Sequence, residues 1–392
     1  MPKQSNSSIW DSPFWGRGFR PFFMLGSLYT LLSIGLWGLF YAGIYTPPDF
    51  YLDPVSWHAH EMIYGFTMAI VAGFLLTAVA NWTGGAPARK LHLAALCGLW
   101  LAGRMVMNID FGLPVFVLVL IDGTFVPALA ISLAIPLIKS WNKRNFVFLT
   151  LLSVLFGCNI WFLTTLDMTA LHVALMMILV MVSLIGGRII PAFTVAALRR
   201  NGIEAYQTDQ MKLDIAALLS LIAVALSLVF AKDTVILSAC ALTSCLIHAL
   251  RMRRYHTDKT FDDPLLWILH AGYLWLIIGL GLLACVGIGL VSLSSILHAL
   301  TAGCIGSMIL GMICRVTLGH TGRVLKASNI TAFTFILIQI AAVLRVFGPL
   351  MIPAQTVTWI LISAGIWVIC FALYVLIFGK MLLTARPDGA EA

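Results

Sequence analysis

The sequence predicts an all-α membrane protein, a polytopic bundle of about twelve transmembrane helices. Three observations predict it. Hydrophobic residues make up 61% of the 392 and charged residues 10%, where a soluble domain carries about a quarter charged residues. Mean hydropathy is +0.99. The apolar residues fall in runs of about 20, the length that crosses a bilayer as a helix. Lipid admits only helices or closed barrels, because every backbone group must find its partner inside the protein.

In chain order the spans cover 20–44, 58–80, 91–108, 113–138, 146–166 and 169–190, then 213–231, 234–251, 265–289, 292–318, 328–347 and 356–381. Turn-forming groups mark the joints: TPPD at 46–49 after the first span, GGAP at 84–87 after the second, NKRN at 142–145 after the fourth, RRNG at 199–202 after the sixth. No joint is long enough for a soluble domain. Residues 1–392 are therefore expected to form a single integral membrane domain, with a polar N-terminal segment at 1–19 and a short tail at 383–392. The first segment lacks an apolar h-region, so no cleavable signal peptide is expected.

Charge orients the bundle. Of the 24 lysines and arginines, Lys232 alone falls in the loops of one side, beside Asp49, Asp53, Asp110, Asp167 and Asp233. Arg104, Arg188, Arg315 and Arg345 lie within spans, and the rest sit at the termini and the opposite loops. The positive-inside rule then predicts an inner-membrane protein with both termini cytoplasmic. This asymmetry accounts for the net charge of +8, so no nucleic-acid partner is expected. The eight cysteines all fall inside spans without a CxxC pair and read as packed hydrophobes.

Histidines carry the functional signal. WHAHEM (57–62), LHVALMM (171–177) and LHALTAG (297–303) open the second, sixth and tenth spans, four spans apart each time. An imidazole inside a bilayer is expensive unless it binds or pairs with something. His58, His60, His172 and His298 thus form a candidate metal set near the periplasmic side, with His60 and His298 as candidate cofactor ligands facing one another. His58 and His60 stand about 200° apart around a helix, so both face one centre only if His58 precedes the first regular turn. Glu61 can orient a ligating imidazole. Arg104 and Arg345, at the same level, suit the carboxylates of a haem.

A second polar layer is expected toward the other side. Arg188 follows His172, and Arg315 follows His298, by 16 and 17 residues, roughly 25 Å of helix. His270, His320 and Arg323 share that level. His270 and His320 are further candidate metal ligands, and Arg188 with Arg315 can hold an anion. The alternative function that follows is a secondary transporter of a small anionic solute.

The motifs GFRPFF (18–23), WHAHEM (57–62), GFLLTAVANWTG (73–84), LAGR (101–104), GGRIIPAFT (186–194) and LGHTGR (318–323) resemble the NnrS family over nearly the whole chain. The resemblance implies a bacterial inner-membrane protein holding haem, of b type, and copper, linked to denitrification and to tolerance of nitric oxide, with the histidines of these motifs as cofactor residues. It implies no particular reaction. Twelve spans with histidines on the second, sixth and tenth also resemble, in layout, the main subunit of haem–copper oxidases. There the second and tenth helices hold haem and the sixth contributes to copper. The seventh span here has no histidine, which departs from that pattern. Membrane lipid and a small gaseous ligand such as nitric oxide are the expected partners. No CxxCH or iron–sulfur spacing names an electron donor.

Overall fold

The computed structural model describes residues 8–46 and 51–390, with no strand among them. Among the described residues, twelve helices are long and apolar enough to span a membrane: α1 (Phe19–Tyr41), α2 (Pro54–Thr83), α3 (Lys90–Asn108), α4 (Val115–Lys139), α5 (Lys143–Thr165), α6 (Met168–Arg200), α7 (Met211–Phe230), α8 (Val235–Met252), α9 (Pro264–Val286), α10 (Ile296–His320), α11 (Asn329–Met351) and α12 (Pro353–Leu383). Lys3, Asp49 and most of the TPPD joint lie outside the described residues.

Local chemistry explains the boundaries that differ from expectation. α2 starts four residues earlier than 58 because Asp53 accepts hydrogen bonds from the Val55 and Ser56 amides at 2.9 and 3.1 Å, an N-cap that satisfies orphan donors of the first turn. α6 continues past Ile190 through Pro191 and stops only at Arg200. A buried helix tolerates the bond that a proline removes, so RRNG, not the proline, ends it. α4 is interrupted at Thr124, next to Gly123, the carbonyl that Pro127 cannot pair with.

Burial sorts the helices into two classes. The most apolar stretches of α2, α6 and α10 are 78%, 72% and 72% buried, against 33–56% for the other nine. The helices that carry His58, His172 and His298 form the centre, and the remainder surround them. α1 packs on α12, where the fully buried Arg20 donates to the carbonyls of Leu382 and Thr384 at 2.9 and 2.8 Å. Those carbonyls have no partner within the helix, so one guanidinium ties the first span to the end of the last.

α2 and α10 also share a backbone irregularity. Each contains a seven-residue π segment, Glu61–Thr67 and Ala299–Ile305, immediately after His60 and His298. The fifth residue of each is glycine. A Cβ on Gly65 would lie 2.5 Å from Tyr29 Cε1, and one on Gly303 would lie 2.5 Å from Trp275 Cδ2. Each wide turn therefore admits an aromatic ring that any side chain would exclude.

Candidate cofactor cavity

Between the central helices, toward their histidine end, lies a cavity of about 1060 Å³ of empty space. α2 lines it with His58, Ala59, Met62, Ile63, Phe66 and Thr67; α6 with Met168 and His172; α10 with His298, Thr301 and Ile305; α11 with Arg345; α1 and α12 with Trp37 and Trp367. Apart from the three histidines and Arg345, the walls are mainly hydrocarbon and aromatic. The His58 ring stacks on Trp37, centroids 4.2 Å apart and planes 7° from parallel. His298 Nδ1 lies 3.3 Å from the Ser294 carbonyl, which leaves Nε2 for the cavity. His298, His58 and Arg345 are close enough to act on one another electrostatically. Among the described residues, no three His, Cys, Asp or Glu side chains are grouped closely enough to hold a metal ion.

His60 does not face His298, contrary to expectation. Its Nδ1 meets Glu61 Oε1 at 2.9 Å, and its Nε2 meets Asn159 Oδ1 at 3.0 Å with Asp122 Oδ2 at 3.4 Å. The Asn159 amide is oriented by donating its NH₂ to Asp122 at 2.8 Å, so the oxygen is what faces His60. With acceptors at both nitrogens the ring donates twice, as imidazolium, and has no lone pair to offer a metal. Arg104 is likewise withdrawn from any cofactor. It donates to Glu61 and to Asp122 in a buried cluster. Two carboxylates thus meet one guanidinium and one imidazolium, and the charges cancel. Glu61 orients His60 as expected, but for this network and not for a metal. Tyr29 and Asn108 complete it: Tyr29 donates its hydroxyl to Glu61, and Asn108 takes the Trp57 indole N–H at 3.1 Å.

The register explains why His58 is chosen over His60. Aligned on their π segments, α2 and α10 share the cavity positions Ala59 and Leu297, Ile63 and Thr301, and Thr67 and Ile305. Beside that common row, α2 turns toward the cavity the flank bearing His58, Met62 and Phe66, whereas α10 turns the flank bearing His298 and Ala302.

The NnrS family model, described as NnrS protein, matches residues 13–386. The chain belongs to the NnrS family. Among curated proteins none matches it.

At the arginine end of this NnrS chain the expected second layer separates into unlike parts. His270 makes two side-chain hydrogen bonds, Nε2 with Thr194 Oγ1 at 2.9 Å and Nδ1 with Thr257 Oγ1 at 3.0 Å. This buried imidazole, bonded at both nitrogens, ties α9 to α6 and to the loop before α9. Arg315 stacks under Phe193, 4.0 Å from the ring centroid, and Arg323 donates to the Thr321 carbonyl at 3.1 Å. Arg188 and His320 do face open space, in a separate cavity shared with Arg144. Arg188 and Arg315 therefore do not form the paired anion clamp that their spacing suggested. His92, His248 and His256 bond Ser132, Tyr273 and the Tyr206 carbonyl.

Sequence reasoning missed Asp122 and Asn159, although an acid inside the apolar span 113–138 is a readable sign of a buried partner. Trp37, Asn108 and Arg144 had no such signal, since their roles depend on which helices are neighbours.

Proposed function

We propose that this NnrS family member is a haem-binding protein of the bacterial inner membrane that acts in tolerance of nitric oxide or in denitrification, with the histidine cavity as its cofactor pocket. The observation that carries the proposal is the meeting of His58, His172, His298 and Arg345 in one cavity of otherwise mainly apolar walls. A haem is a flat apolar ring with two carboxylates and a need for axial imidazole. His298 would hold the iron, because a hydrogen bond from Nδ1 to the Ser294 carbonyl orients the ring and leaves Nε2 to ligate. Arg345 makes no ion pair among the described residues, and a guanidinium beside the cavity suits a carboxylate. Bound there, haem would supply an iron able to bind nitric oxide.

The chain's own contribution is placement and exclusion. Stacking on Trp37 holds the His58 ring in one plane, and neither His58 nor His172 makes a hydrogen bond among the described residues, so both keep a nitrogen for a ligand at the cavity wall. Phe66, Ile305 and Trp367 give the interior apolar walls, and a polar contact is stronger in such surroundings than in water. Among the described residues no three-ligand cage for copper, the second cofactor of the resemblance, is formed. The gathering of lysine and arginine at the other end supports placing that end and both termini in the cytoplasm.

An absorption spectrum of the detergent-purified full chain, from cells supplied with haem precursor, tests the proposal. A Soret band with stoichiometric haem is expected. A well-folded, colourless protein would overturn it.

A further inference from the structure

A second cavity opens between α2, α5, α6 and α10, with about 1130 Å³ of empty space. Arg144, Arg188 and His320 line it with the amides of Asn81 and Asn145, and no carboxylate does. Arg188 donates Nη1 to Asn145 Oδ1 at 2.9 Å, a neutral partner, and Asp214, the carboxylate that acts on it electrostatically, lies outside the cavity and is bonded to Arg251 at 2.7 Å. Arg144 makes no ion pair among the described residues. Arginines that only mark the cytoplasmic boundary snorkel outward to headgroups. Arg188 instead faces inward between the three most buried helices.

The position along the bundle is also specific. The last residue lining the histidine cavity and the first lining this one are Thr67 and Phe74 on α2, Ile178 and Ile185 on α6, Ile305 and Met312 on α10. Each pair is seven residues apart, so two turns, about 10 Å, separate two cavities on a common axis. A cation pair with amide neighbours on this axis is a site that lacks its counter-charge.

We propose that this cavity binds a small planar monoanion, a carboxylate or a trigonal oxyanion, held by Arg188 and Arg144 with His320 at its rim. Planarity follows from the guanidinium fork, which matches two coplanar oxygens. A single charge follows from the aromatic and aliphatic remainder of the wall, Phe74, Trp82 and Phe193 among it, which makes desolvating a dianion costly. A lipid phosphate is the competing source of negative charge, and its two tails have no place between central helices.

The test is thermal unfolding of the purified full chain in sodium formate against sodium chloride at equal ionic strength, since a ligand of the folded state raises Tm as it saturates. Formate is expected to raise Tm in wild type and in His298→Ala. In Arg188→Gln the formate concentration giving half the effect should rise about tenfold or more, the loss of a charge-assisted hydrogen bond. If Arg188→Gln does not fold, the exposed Arg144→Gln serves, with a weaker formate response expected. The proposal is overturned by a wild type that ignores formate, by arginine variants that respond as wild type does, or by a protein stabilised by phosphate or phosphatidylglycerol and not by formate.

Discussion

α2 and α10 carry the same backbone device, a π segment entered by a histidine and made possible by a glycine in fifth place, yet their two histidines do opposite things. Behind His60 stand Glu61, Asp122 and Asn159. Behind His298 stands one backbone carbonyl, that of Ser294. Carboxylates within hydrogen-bond reach turn an imidazole into a cation and consume its lone pair, whereas a carbonyl at one nitrogen leaves the other as a ligand. Equivalent backbone position therefore does not confer equivalent chemistry. π segments recur at functional sites, and here both line the cavity while the one on α2 also anchors a salt-bridge network beside it.

The largest expected effect separates the two histidines outright. On the haem proposal, His298→Ala should abolish haem retention while the protein still inserts. His60→Ala should retain the haem spectrum per mole of folded protein but unfold more easily. Equal loss of haem from two well-folded variants would erase the contrast.

Next comes the network on the α2 side. Arg104→Met leaves Glu61 and Asp122 facing each other's charge without a guanidinium, and removing one partner of a buried pair costs about 3–5 kcal/mol. A steep fall in thermal stability is expected, with no counterpart for Arg345→Met on the α10 side of the cavity. Similar losses from both substitutions would mean that Arg345 too has a buried anionic partner.

The π segments themselves should respond alike. Gly65→Ala and Gly303→Ala each press a methyl group against an aromatic ring, Tyr29 and Trp275, and overpacking of this kind costs about 1–3 kcal/mol. A neutral result at one position and a large one at the other, by thermal unfolding, would show that the twin turns are not mechanically equivalent.

The smallest effect lies at the entrance of α2. Burial raises the Asp53 carboxyl, but hydrogen bonds from Ser56 and Val55 outweigh it and hold the group below its ordinary value of 3.8. Its stabilisation is therefore present above that value and is lost as pH falls through the lower, folded one. Asp53→Ala should cost about 1 kcal/mol near neutrality, and the difference from wild type should vanish in acid. A constant difference across pH would assign the loss to packing instead of to the charged cap.

By itself the sequence determined the twelve spans and which of them carry His58, His172 and His298, because length, hydropathy and residue identity are properties of each segment taken alone. Central placement of α2, α6 and α10 was a finding of the tertiary structure. The tertiary structure decided which imidazole of WHAHEM meets the cavity. His58 and His60 lie on different flanks of α2, and only the packing of α1, α3, α4 and α5 around that helix puts Trp37 beside one and Asp122 with Asn159 beside the other. Arg104 reads in sequence like Arg345, a lone cation inside an apolar span. Its true partners are an acid 18 residues later on α4 and another 43 residues earlier on α2, and no local pattern encodes such a meeting. Arg144, Arg188 and His320 come from three helices for the same reason: segment chemistry sets what each helix can offer, and the packing of neighbours sets what it is offered to.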